Sequence, residues 1–197
     1  MRFVLRKIHS VQIKVRQFYD SLANKLMLIR EGVAIQEYKI NGILFVKNKG
    51  SINIGKGFRA NSGVAYTPIG GDSVIRLITD NHAVLEIGNN VGISNSTIYC
   101  SKSIRIGNHV LIGNSCRIWD TNFHSIDPEE RCFNGDNDIV SAPVVIEDKV
   151  FIGGGATILK GVTIGENSVI AAGSVVTKSI PSNQIWGGNP AQFIRNL

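Results

Sequence analysis

Isoleucine or valine recurs every six residues without a break at Ile146, Ile152, Ile158, Ile164, Ile170 and Val176. A row two residues earlier (Val144, Val150, Ala156, Val162, Ser168, Ser174) is small or apolar throughout. The same pair of rows occurs upstream at Ile106, Ile112 and Ile118 with Ile104, Val110 and Cys116. A shorter block holds Ile87 and Ile93, and Ile40, Val46, Ile52, Phe58 and Val64 suggest another near the start. A period of six fits neither an amphipathic helix nor simple strand alternation. Two inward positions, i−2 and i, satisfy the period of two within a short strand. The remaining residues turn a corner, where Gly or Asn, as in Gly107-Asn108 and Gly165-Glu166-Asn167, takes a left-handed conformation at little cost. Repetition stacks such strands into a parallel solenoid that rises about 4.8 Å per coil.

The blocks are out of register with one another. Ile87 to Ile106 is 19 residues, one more than three hexads, and Ile118 to Ile146 is 28, four more than four hexads. The chain therefore leaves the coil between 118 and 146, and the phase change between Ile54 and Ile87 places another insertion around residues 65–83. Insertions in solenoids project from one face and often carry the site. The reading is an all-β chain with three parts: a helical segment over 1–38, a β-helix over 39–180 with an excursion at 120–143, and a tail over 181–197.

Composition narrows the function classes. A chain of 197 residues, 43% apolar and 18% charged, is neither disordered nor large enough for two full domains. No apolar run is long enough to span a bilayer, and the charged start lacks the apolar core of a secretory signal. Cys100, Cys116 and Cys132 are odd in number and show no CxxC spacing, which fits free thiols, a reducing compartment and a cytoplasmic location. The net charge of +6 lies wholly in residues 1–30, which hold seven basic residues and one acid; the rest is balanced at 14 against 14. A neutral body offers no surface that would track nucleic-acid phosphates. Within 1–30, Val4, Ile8, Val11, Val15, Phe18, Leu22, Leu26 and Ile29 form the stripe of an amphipathic helix, with Arg2, Arg6, Lys7, Lys14 and Arg16 off it. Two readings follow. The stripe docks on the body or on a neighbouring subunit, or it attaches reversibly to an anionic membrane surface.

The motifs L85-E-I-G-N-N-V, I104-R-I-G-N-H-V-L-I-G, D120-T-N-F-H-S-I-D-P, the run from Val144 to Lys178, and W186-G-G-N-P-A-Q-F-I-R resemble the hexapeptide-repeat acyltransferases. The branches they resemble are the maltose and galactoside acetyltransferases and the O-acetyltransferases of bacterial surface polysaccharides. The likeness covers residues 85–197 strongly, 40–84 weakly and 1–38 not at all. It implies a left-handed β-helix of triangular coils, a homotrimer, acetyl-CoA as donor and a carbohydrate hydroxyl as acceptor. Acetylation of a small sugar or xenobiotic, or a non-catalytic scaffold, are the alternatives.

The excursion is the place for a site, because an irregular connection longer than about 15 residues inside a compact domain is usually functional. It holds Asp120, Asp127, Glu129, Glu130, Asp136 and Asp138 against a single Arg131. His124 lies one hexad past Ile118, where the chain leaves the coil. Its imidazole suits proton transfer from a sugar hydroxyl near neutral pH, and the resemblance implies the same role of general base. His9 falls in the helix, His109 at a corner and His82 in the first insertion. They offer no convergent set of three for zinc, so no metal is expected. Cys116 is inward, which favours direct transfer over a covalent intermediate. From the resemblance, Gly154 presents a backbone group near the thioester, Ala172 lines the pantetheine arm, and Thr177, Lys178 and Arg195 hold the pantetheine end, adenine or phosphates. Phe151 replaces the tryptophan common in that motif. Asn95 matches an acceptor-site asparagine, and Asn122 is a further acceptor contact.

Overall fold

The computed structural model describes residues 2–70 and 74–197, with side chains from residue 12 onward. Val4, Ile8, Val11, the basic residues before Gln12 and His9 therefore fall outside the described side chains.

The hexads wind into a left-handed triangular coil with three parallel sheets as its faces. The first face stacks Ala34–Ile35, Ser51–Ile54, Val84–Ile87, Ser103–Ile106, Val144–Ile146 and Thr163–Ile164. The second begins at Tyr38–Asn41 and the third at Phe45–Asn48. The register explains the period. Ile106 pairs with Ile146 and then Ile164, Ile112 with Ile152 and Ile170, and Ile118 with Ile158 and Val176. Residues six apart therefore lie on successive faces, and residues one coil apart form an interior column. These columns are the core, each of the nine being at most 3% exposed. The inward serines fit because Ser168 and Ser174 give their hydroxyls to the carbonyls of Pro181 and Ala171 (both 2.7 Å).

The corners answer for the Gly and Asn content. At the first-to-second corner, Asn90, His109, Lys149, Asn167 and Asn183 all have φ between 57° and 62°. Each donates its N–H to a carbonyl one coil earlier, for example His109 to Asn89 at 2.8 Å and Asn167 to Asp148 at 3.0 Å. At the second-to-third corner the coils approach so closely that a Cβ on Gly113 would lie 2.6 Å from the Gly154 nitrogen.

Several boundaries differ from the sequence reading. The coil begins at Ala34, and the first insertion occupies 62–75 at the second-to-third corner. Val64, placed by spacing in the interior row, lies in the short 3-10 turn Val64–Tyr66 and is 64% exposed. The chain end also forms structure. Gln184–Gly188 adds a parallel strand to the second face, and Ala191–Asn196 folds back antiparallel on it. A hairpin has no hexad, so the period gives no sign of it.

Helix α1 (Arg2–Arg30) closes the lower end of the core, but not with its apolar stripe. Val15, Phe18, Leu22, Leu26 and Ile29 are 45–67% exposed. Contact with the body is made on the opposite side. Leu28 enters the core, and buried Asn24 donates to the Gly42 carbonyl (2.8 Å) and accepts from the Leu44 amide (3.0 Å). Glu31 accepts from the Asn48 amide (3.0 Å), which, more than its Arg30 partner, holds its carboxyl below the usual range. At the other end Trp186 covers the last coil, with the Lys178 ammonium 5.3 Å from its ring centre.

Asn24→Ala leaves a buried carbonyl and amide unpaired. It should cost about 1–3 kcal/mol and raise hydrogen exchange selectively over residues 20–33, which mass spectrometry of peptic fragments reads out.

Candidate active site

The excursion leaves the coil after Arg117–Trp119, at the third-to-first corner, and returns at Val144–Ile146. Its neck is closed by backbone bonds. Thr121 and Ser141 form an antiparallel bridge, Asn122 donates to Val140 (3.1 Å), and Ala142 donates to Asp120 (2.9 Å). Asp120 is fully buried and pins the neck to the coil below by accepting the amides of Ser101, Lys102 and Ser103 (2.6–2.8 Å). Burial, and secondarily the Asp120 charge, push the neighbouring Cys100 thiol up to about 12, while burial raises Cys116 as well. Neither is a nucleophile at neutral pH.

Phe123 takes φ 63°, an unusual conformation for a bulky residue, and its ring packs edge-on against Tyr99 (4.8 Å) and Trp119 (6.0 Å). The aromatic contacts hold this turn, and the next residue, His124, emerges with its side chain 70% exposed. The loop then doubles back to support it. Asp136, itself at φ 58°, accepts the Ser125 amide at 2.5 Å on one oxygen and meets His124 Nδ1 at 2.6 Å with the other. Arg131 donates to the Ser125 carbonyl (2.7 Å), and Asp127 caps the short helix α2 (Pro128–Cys132) that carries Arg131. The Ser125 amide first, and the His124 ring second, hold the Asp136 carboxyl below the usual carboxylate range. An ionised Asp136 makes Nδ1 the donor and leaves the Nε2 lone pair as the acceptor. Asp136, the residue that holds the His124 ring, was not singled out by sequence reasoning, because twelve residues of irregular loop separate it from His124 and only the acid excess of the segment hinted at it.

The other site residues of the sequence reading are scattered over the prism. Thr177 and Lys178 are exposed at the same third-to-first corner as the excursion, in a later coil. Gly154 and Ala172 lie at the second-to-third corner. The Gly154 carbonyl accepts from the Gly173 N–H (2.9 Å). Arg195 is exposed on the edge strand. A single chain therefore does not bring His124 together with Gly154 and Ala172. Grooves of about 420 and 280 Å³ run along the first face, lined by residues such as Glu86, Arg105 and Asp148, and neither includes His124. Asn95 is 1% exposed with φ 39°, and its amide donates to Thr67 Oγ1 (2.7 Å) and accepts from the Gly63 N–H (2.6 Å). It ties down the 62–75 insertion instead of facing out. Asn122 is half-buried in the neck, two residues before His124. His109 and His82 (φ 57° and 63°) take turn positions of the kind Asn fills at other corners.

The family model for the hexapeptide repeat of succinyl-transferase matches residues 143–178. The Escherichia coli protein named "Putative lipopolysaccharide biosynthesis O-acetyl transferase WbbJ" is 31% identical over 163 residues, 77% of this chain and 74% of its own. The galactoside O-acetyltransferase of Lactococcus lactis is 40% identical over 103 residues, 52% of this chain and 48% of that protein. The crystal structure of a hexapeptide-repeat acetyltransferase of Vibrio cholerae complexed with acetyl coenzyme A matches with a TM-score of 0.56 at 30% identity, covering 89% of this chain and 77% of that one. The chain spans about half the length, or less, of the first curated relatives it matches.

Because its folded value is depressed, Asp136 contributes its tie fully above the ordinary carboxylate range and loses it as pH falls through the lower value. The amide shift of Ser125 should therefore stay constant on acidification until below that range. Asp136→Asn would offer a donor to Nδ1 and move the ring proton to Nε2, a change that 15N shifts of His124 report directly.

Proposed function

We propose that this chain, which belongs to the hexapeptide-repeat acyltransferase family, is an acetyl-CoA-dependent O-acetyltransferase that acts on a carbohydrate hydroxyl. The observation that carries the reading is the exposed His124 ring held by ionised Asp136 at 2.6 Å, with Nε2 available as a base. Nε2 removes the proton from the acceptor hydroxyl as its oxygen attacks the thioester carbonyl. The tetrahedral intermediate then expels the CoA thiolate, which takes the proton back from the imidazolium. Asp136 stays ionised, fixing the tautomer and balancing the transient imidazolium charge. No covalent enzyme intermediate is needed, in keeping with the burial of Cys100 and Cys116.

The roles of the remaining residues are those that the family resemblance implies. Gly154 N–H meets the cofactor near the thioester, and Ala172, lacking a bulky side chain, lets the pantetheine arm lie against the wall. Thr177, Lys178 and Arg195 hold its far end and phosphates. Asn122, beside His124 in the neck, contacts the acceptor, while Asn95 shapes the acceptor side through the loop that it anchors. Because His124 and Gly154 occupy different corners, a cleft that holds both substrates requires two chains, and we place it between subunits of a homotrimer. Similarity to WbbJ over most of both chains supports a surface polysaccharide as acceptor. Similarity to the galactoside O-acetyltransferase over half the chain favours a small sugar as the second reading. The three free thiols support a cytoplasmic location.

His124→Ala should lower kcat by about 10²–10⁴ in a thiol-release assay over a panel of nucleotide-linked, lipid-linked and free sugars, with CoA affinity and oligomeric mass unchanged. Normal turnover by this variant would sink the mechanism, and no release with any carbohydrate would sink the acceptor class. If each cleft takes His124 from one chain and Gly154 from the next, mixing inactive His124→Ala with inactive Gly154→Leu subunits should restore part of the activity.

A further inference from the structure

The outward side of α1 is both apolar and cationic. Val15, Phe18, Leu22, Leu26 and Ile29 lie along one stripe, exposed by 45–67%, while the opposite side is the one that docks through Asn24 and Leu28. At about 100° per residue, Lys14 and Lys25 border the stripe on one flank and Arg16 and Arg30 on the other. Among the described residues, neither Lys14 nor Lys25 makes an ion pair, while Arg16 pairs with Asp20 (3.9 Å) and Arg30 with Glu31 of its own chain. The segment's single acid, Asp20, is turned inward, where it accepts from the Tyr66 hydroxyl at 3.3 Å. What remains facing out is a row of large apolar side chains edged by positive charge, with no negative group.

We infer that this stripe lies in the plane of an anionic lipid surface and holds the prism there. A stripe along one side of a helix with basic flanks matches the depth profile of a bilayer interface: apolar side chains enter the acyl boundary and ammonium groups meet lipid phosphates. No helix of the described residues is long and apolar enough to cross a membrane, which fits surface attachment and not insertion across it. A second copy is a poor occupant on charge grounds. The stripe has near-heptad spacing, but Lys14 and Lys25 border its seam, and residues 1–30 carry no outward acid to meet their counterparts on another helix. This inference does not depend on which hydroxyl the enzyme acylates.

The test is co-sedimentation of the full chain with phosphatidylglycerol vesicles and with phosphatidylcholine vesicles at low salt. Binding is expected to the first, little to the second, and to weaken as salt rises. Phe18→Ser with Leu26→Ser, and separately Lys14→Glu with Lys25→Glu, should each lower the partition coefficient at least about tenfold with the oligomeric mass unchanged. If either pair disturbs the fold, Phe18→Trp decides, because its emission should be quenched by brominated acyl chains. No sedimentation with phosphatidylglycerol overturns the proposal, and so does binding that only the lysine pair affects or a Phe18→Trp signal that brominated lipid leaves unchanged. Dissociation of the oligomer in the Phe18/Leu26 variant also overturns it, since the stripe would then be a contact between copies.

Discussion

Everything in this molecule rests on the spacing between stacked parallel strands. A coil can close in about eighteen residues only if each side is a strand of a few residues and each corner is tight. The corner must then reach a left-handed backbone conformation or approach the next coil without a Cβ. The column of Asn90, His109, Lys149, Asn167 and Asn183 and the contact of Gly113 with Gly154 meet these demands at two corners. Parallel crossovers are normally right-handed. Here they are left-handed and, outside the two insertions, very short, with no helix between the strands to set the hand. The interior then needs only two apolar positions per side, which is why isoleucine columns suffice for a core.

The proposed base, His124, stands on an excursion from that rigid wall, and the wall holds the base of the excursion. Asp120 draws three amides of the coil below onto one carboxylate, and Phe123 wedges between Tyr99 and Trp119. Beyond that point the loop supports itself, with Asp136 reaching back to both Ser125 and His124. An imidazole on so exposed a perch keeps its geometry because its partner is fixed by a backbone bond as well as by the ring.

The coil was legible in the sequence because its interior follows a strict period, so Ile146 through Val176 could be assigned to columns from spacing alone. His124 was singled out because it follows the last hexad before the break. Asp136 was not, since its approach depends on the path of an irregular loop. Asn95 looked like a ligand contact because a polar residue at a corner reads the same whether it faces out or bonds to a neighbouring loop. The stripe of α1 illustrates the opposite failure. Periodicity marks an apolar face but does not say what it meets, and the real docking surface, centred on Asn24 and Leu28, is too polar to register as a stripe. The terminal hairpin was invisible because its two strands obey a different period.

The closed neck of the excursion has an evolutionary corollary. Thr121 and Ser141 are bridged and Asp120 is bonded to Ala142, so the chain departs and re-enters at nearly the same point. Apart from the His124–Asp136 pair and its ties, what lies between can lengthen, shorten or change sequence without transmitting strain to the isoleucine columns. The prism is thus a mounting whose walls do not depend on the segment it carries, so that loops of other length can be seated at the same corner.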